Sequence, residues 1–124
     1  MKKTEIIKKN FEFRYFFKKG KFFSGNFLEI FIFDSNYKKN KLGIVVSKKI
    51  GGSVTRNKLK RYMREAYSAI EKDISSSINL LILWKKNVDP NLATFFETKN
   101  DLYGILKKAG KIKEIWWRKF LFFY

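Results

Sequence analysis

The sequence has no cysteine, no histidine, one proline, and only eleven acidic residues against 28 basic ones. Without cysteine there is no disulfide framework and no thiolate metal site, which suits a reducing cytoplasm. Without histidine, the commonest general acid or base near neutral pH is missing. The carboxylates are scattered along the chain, and only Glu71 and Asp73 are close neighbours. Two residues apart on a helix, these two do not share a face. Metal-dependent phosphodiester cleavage by a protein needs carboxylates converging on one or two ions. No such cluster is visible, so the sequence reads as a binder with no catalytic and no metal-ligating residues of its own. No apolar run is longer than Leu80 to Trp84, which is far shorter than the ~20 residues of a membrane-spanning helix. Met1-Lys2-Lys3 is basic, but no apolar segment follows to form a secretory signal.

What is present is positive charge. The 124 residues carry a formal net charge of +17, and self-repulsion of that size points to a polyanionic partner. Nucleic acid is the leading partner class and an anionic membrane surface the second. The chain uses lysine nearly everywhere for this charge, yet three of its five arginines (Arg56, Arg61 and Arg64) fall within nine residues. A guanidinium fork binds phosphate through two parallel hydrogen bonds and stacks on bases, which an ammonium cannot do.

The length predicts one domain. Asn10 is placed to cap a helix over Phe11 to Lys19 that stops at Gly20, with Phe13, Phe16 and Phe17 on one face. Phe22 to Phe33 reads as extended. Alternation sets Leu28, Ile30 and Ile32 on a core side and Phe27, Glu29, Phe31 and Phe33 on a more open side. Aromatics on an open sheet face suit the stacking of unpaired bases. A short strand over Leu42 to Ser47 leads into the loop Lys48-Lys49-Ile50-Gly51-Gly52, which lacks the pattern of a nucleotide-binding loop. Ser53 is placed to cap a long helix to Ile74. Its apolar stripe is Leu59, Met63, Ala66, Ile70 and Ile74, with Tyr67 at the edge and Asn57, Lys60, Arg61 and Arg64 opposite. The amino end of that helix adds backbone N–H groups favourable for phosphate. Ile78 to Trp84 reads as a buried strand. Thr94-Phe95-Phe96-Glu97 opens a last helix that ends near Ala109 and Gly110. The fold class is α+β, a single-domain sandwich in the order α-β-β-β-α-β-α. Residues 1–110 form the domain, and 111–124 form a basic and aromatic extension expected to pack on it.

The segment from Ser47 to Glu65 resembles the signature of the protein component of bacterial ribonuclease P. Arg-Asn-x-x-Lys-Arg-x-x-Arg is complete at Arg56, Asn57, Lys60, Arg61 and Arg64, and the lead-in is present at Lys48, Lys49 and Gly51. Lys8-Lys9-Asn10, Phe13, Phe17 and Gly20 are similar as well, so the resemblance spans about residues 3 to 109. It implies a sandwich whose strand–helix–strand unit is a left-handed crossover, a rarity among such connections. It also implies an endoribonuclease subunit that binds the catalytic RNA, in a 1:1 ratio, and the single-stranded 5′ leader of precursor tRNA. The RNA, with Mg²⁺, would perform the hydrolysis. By position, Phe13, Phe17 and Phe31 are the leader-cleft aromatics, and Lys48, Lys49, Arg56, Asn57, Lys60, Arg61 and Arg64 the RNA contacts. Phe31 stands where relatives can carry tyrosine, keeping the stacking surface without the hydroxyl. The alternative is a structural RNA-binding protein, such as a ribosomal or assembly factor. A membrane-surface protein would also use the basic charge and aromatic tail.

Overall fold

The computed structural model describes residues 4–113. In chain order the elements are β1 (Thr4–Ile6), α1 (Asn10–Lys19), β2 (Lys21–Ser24), β3 (Leu28–Asp34), β4 (Asn40–Val45), α2 (Ser53–Ile70), β5 (Ile78–Trp84) and α3 (Phe95–Lys108). They build one five-stranded mixed sheet in the order β1-β4-β5-β3-β2. The pairs β2·β3 and β3·β5 are antiparallel, whereas β1·β4 and β4·β5 are parallel. Helix α2 therefore carries the chain between two adjacent parallel strands.

The α+β class is as read from the sequence, but the order begins one strand earlier. Strand β1 is missing from α-β-β-β-α-β-α because three residues are too short to show alternation, and their partner, β4, lies far along the chain. Two helix starts also differ. Lys9 and Gly52, not Asn10 and Ser53, hold the N-cap positions, and neither makes a side-chain cap. Helix α2 ends at Ile70, after which a 3₁₀ turn over Glu71–Asp73 leads to Ile74, itself buried. The Thr94 cap is present, its Oγ1 accepting from the Glu97 N–H at 3.2 Å.

One sheet face is closed by α2 and α3. Leu28, Ile30 and Ile32 of β3 meet Leu42, Leu80, Ile82 and the α2 residues Leu59, Met63, Ala66 and Ile70 in the main core. Tyr67, set at the edge by the helical wheel, is fully buried there. Among the described residues the other face carries α1 alone, over a smaller cluster of Ile7, Phe16 and Leu81.

Gly20 does more than end α1. Its backbone is extended, so no left-handed conformation is required. An added Cβ would lie 2.6 Å from the Phe31 Cβ and 2.7 Å from the Phe16 carbonyl oxygen. Only glycine lets the helix end come this close to β3. Gly110, by contrast, follows α3 at φ +73°, a conformation that favours glycine and stops a helix.

The segment after α3 begins by returning to the domain. Ile112 bridges to Ile74, and the Lys111 ammonium sits 2.6 Å from the Asp34 carboxylate. The remainder of the aromatic extension, 114–124, lies outside the described residues.

Candidate nucleic-acid interface

The strand registers lay three rows of side chains across the α1 side of the sheet. They are Lys41–Asn79–Phe33, then Gly43–Leu81–Phe31–Phe22, then Val45–Leu83–Glu29–Ser24. Helix α1 lies over this face with Phe16 pressed into the sheet, 3% exposed and 5.2 Å edge-on from Phe33. At about 100° per residue, Phe13 and Phe17 project along one flank of α1, and Phe11 and Tyr15 along the other.

The first flank forms an aromatic cleft. The Phe17 ring meets Phe31 at 5.0 Å, and Phe31 meets Phe22 at 5.3 Å. Phe17 and Phe22 remain 41% and 49% exposed, so these rings are more than internal packing. The adjacent row of Val45, Leu83, Glu29 and Ser24 is half-buried throughout. Phe13 packs partly buried against the Phe16 cluster, forming the wall of the cleft more than its open surface. The structure thus brings Phe17 and Phe31 together as expected and adds Phe22. Phe22 was legible only through the β2–β3 register, which sets it directly opposite Phe31.

The open row includes Val45, the last residue of β4. From there the chain passes Val46 and Ser47 into a 3₁₀ turn over Lys48–Ile50, where Ser47 Oγ accepts from the Lys49 N–H at 3.2 Å. Lys48 and Lys49 are exposed on this turn, and α2 starts three residues after it. The basic turn and the amino end of α2 therefore sit at the same end of the sheet as the aromatic cleft.

Along α2, the buried positions Leu59, Met63, Ala66, Tyr67 and Ile70 anchor one side. Asn57, Arg61 and Arg64 are exposed on the other, with Arg56 and Lys60 half-buried beside them. Among the described residues the ion pairs are Lys41–Glu12 and Lys111–Asp34, so none of the seven predicted RNA-binding residues is neutralised by a carboxylate. The Arg61 guanidinium lies 5.6 Å from the Tyr62 ring centre, an approach that steadies it without consuming its donors. Among the described residues no group of three carboxylates could hold a metal ion. No described helix is long and apolar enough to cross a membrane.

A sheet face with exposed aromatics, joined to an arginine ladder that among the described residues has no carboxylate partner, is the arrangement of a nucleic-acid-binding α+β protein. Comparison with known proteins carries this further. Residues 1–110 match the family model for ribonuclease P. The ribonuclease P protein component of Clostridium botulinum (strain 657) is 36% identical over 109 residues, spanning 87% of this chain and 96% of the relative. That of a Geobacillus species is 35% identical over 114 residues, spanning 91% and 97%. The solved Staphylococcus aureus RNase P protein superimposes with a TM-score of 0.74 at 28% identity, covering 87% of this chain and 97% of that one. The Thermotoga maritima RNase P protein gives 0.75 at 25% identity, covering 84% and 96%. The chain belongs to the ribonuclease P protein family, whose members supply the protein component of a tRNA-processing endoribonuclease.

Proposed function

We propose that this chain binds the catalytic RNA of ribonuclease P and, at the same time, the single-stranded 5′ leader of precursor tRNA. The observation that carries this reading is the junction of two surfaces. The Phe17–Phe31–Phe22 cleft opens at the end of the sheet from which the Lys48–Lys49 turn and the α2 ladder leave. Bases of an unpaired strand stack on ring faces whatever their sequence, so the cleft suits a leader whose sequence varies. Phe17 and Phe31 take these bases, with Phe13 as the cleft wall beside them. Lys48, Lys49, Arg56, Asn57, Lys60, Arg61 and Arg64 hold phosphates and RNA edges, the arginines through paired hydrogen bonds.

Bond breaking is assigned to the RNA. The described residues offer no carboxylate cluster for Mg²⁺, and the ion's place is on the RNA and substrate phosphates. The protein's contribution is to hold the leader, and hence the scissile phosphate, at the RNA catalytic centre. Such positioning lowers the barrier by removing freedom of motion before reaction. We assign one protein per RNA and a cytoplasmic location. The test is reconstitution: added to the catalytic RNA of its source, the folded chain stimulates precursor-tRNA cleavage at low Mg²⁺. Absence of stimulation overturns the reading.

A further inference from the structure

The second flank of α1 also holds a cavity, of about 540 Å³, between that helix, the first side-chain row of the sheet and the β3–β4 loop. Its size falls within the range of small-ligand pockets. It lies across the helix from the leader cleft, and none of the residues assigned above to RNA or leader binding lines it.

The cavity's composition is unlike that of a packing defect. Asn79 of β5 lines it, 9% exposed, with an Oδ1 that is buried and accepts no hydrogen bond from the described residues. An orphaned amide oxygen of this kind costs free energy unless something donates to it. The terminal torsion of asparagine is soft, so rotation about it can bring this oxygen toward the cavity that the residue lines. Around it stand aromatics from separate elements. Tyr15 of α1 is half exposed and edge-on to Phe33 of β3 at 5.6 Å, and Phe11 and Tyr37 are more exposed still. The loop backbone that carries Tyr37 is held, its N–H donating to Ser35 Oγ at 3.1 Å. At the rim, the Lys41 ammonium sits 5.1 Å from the Tyr37 ring centre and 3.8 Å from the Glu12 carboxylate.

The lining carries Lys19 and Lys41 beside the Glu12 and Asp34 carboxylates. Exposed rings around a polar floor that needs a donor, with these ammonium groups at the mouth, match one class of ligand. It is flat, carries an amino group and is attached to a phosphate. We infer that this flank is a second subsite for single-stranded RNA, taking one unpaired, amino-bearing base. The exocyclic amino group of adenine or cytosine donates to Asn79 Oδ1, the ring stacks against Tyr15 or Tyr37, and the phosphate meets Lys41. Uracil has no amino group, and its single Watson–Crick-edge donor, N3–H, is flanked by two carbonyl oxygens that repel the orphaned acceptor, so it donates there less favourably. This inference rests on the RNA-binding reading above and extends it to a strand that grips α1 from both sides.

The test is an NMR titration of the intact, isotope-labelled protein with the trinucleotides rA3, rC3 and rU3. Expected are shifts of the Asn79 side-chain amide and the Lys41 and Phe33 backbone signals with rA3 or rC3, and binding there about tenfold weaker for rU3. Asn79→Leu, which keeps the branching and heavy-atom count of asparagine, abolishes the Lys41 and Phe33 shifts while leaving the responses of Phe31 and Leu83 in the leader cleft. If that variant fails to fold, Tyr37→Ala on the exposed loop decides, with several-fold weaker binding at the same signals. Shifts confined to the leader cleft, equal affinity for rU3, no effect of the variants, or no shift at all would each overturn the subsite. Stimulation of cleavage by the catalytic RNA is measured separately, so a lost subsite with intact stimulation leaves the main reading standing.

Discussion

The two faces of the sheet are made by the same strands and are used in opposite ways. Toward α2 and α3, Leu28, Ile30, Ile32, Leu42, Leu80 and Ile82 are all buried to within 4% of complete. Toward α1, Leu81, Gly43 and Asn79 are buried, but Phe31, Phe33, Glu29, Leu83 and Val45 are only half-buried. Among the described residues two helices cover the first face, and a single ten-residue helix crosses the second. Period-2 alternation lets one strand supply aliphatic residues that hold the fold and aromatic residues that stay available to a ligand. Stability is concentrated on one side of the sheet, and the surfaces proposed for recognition are the other side and the outer surface of α2.

The sharpest way to break this comparison is to truncate one residue on each face. Leu80→Ala opens a cavity in the closed face and costs about 2–5 kcal/mol of unfolding free energy. Phe22→Ala removes a half-exposed ring whose main neighbour is Phe31 and costs about 1 kcal/mol or less. Urea midpoints of the two variants measure the difference. Equal losses would mean that the aromatic face is core in its own right.

Much of this division is legible in the sequence. The Leu28–Ile30–Ile32 alternation marks the core side of β3, and the α2 wheel separates the anchoring stripe from the arginine ladder. Other features depend on partners distant in sequence. The i, i+3, i+4 spacing puts Phe13, Phe16 and Phe17 on one face of α1, yet it cannot rank them. Phe16 is buried and Phe17 exposed because of how the helix crosses the sheet, at an approach that Gly20 allows. Strand β1 and the role of Phe22 exist only through pairing with β4 and β3. Tyr67 looks marginal on the helix wheel because its place is settled by Thr4, which arrives with β1. The site's basic residues are readable because they lie in one contiguous helical segment. The Asn79 cavity is not, since it joins three elements that the sequence keeps apart.

On the open face, Phe17→Ala separates stacking from packing. Loss of its ring weakens binding of a precursor tRNA carrying a leader by about 1–3 kcal/mol, with little change for mature tRNA. Leader-dependent dissociation constants for the two RNAs provide the check. Equal weakening of both would assign Phe17 to the scaffold. On the outer surface of α2 the expected change is in salt response. Arg61→Ala or Arg64→Ala removes roughly one counterion from the dependence of binding on salt for each phosphate left without its arginine. An unchanged slope would make these arginines a solvated surface only.

The smallest expected effect tests the closed face at its margin, where Tyr67 reaches from α2 to the edge strand. Its hydroxyl lies 2.8 Å from Thr4 Oγ1, and Thr4 in turn donates to the Glu71 carboxylate. Thr4 has one hydroxyl proton, so with that proton on Glu71 it accepts from Tyr67, and the phenol must be neutral. Burial pushes the Tyr67 hydroxyl above its ordinary value of 10.0, and the Glu71 charge adds to this, while hydrogen bonding with Thr4 and Asn40 pulls the other way. Above about pH 10 the unfolded chain releases this proton while the folded chain retains it. The stabilisation from neutral Tyr67 is therefore full below about pH 10 and is lost as pH rises through the raised folded value. Tyr67→Phe should cost about 1 kcal/mol at neutral pH, and the gap to the parent protein should close in strongly alkaline solution. Urea midpoints of both proteins at neutral pH and at about pH 11 measure it, beyond the ordinary tyrosine value. A gap that stays constant across that range would show that the Tyr67 proton is not what ties α2 to β1.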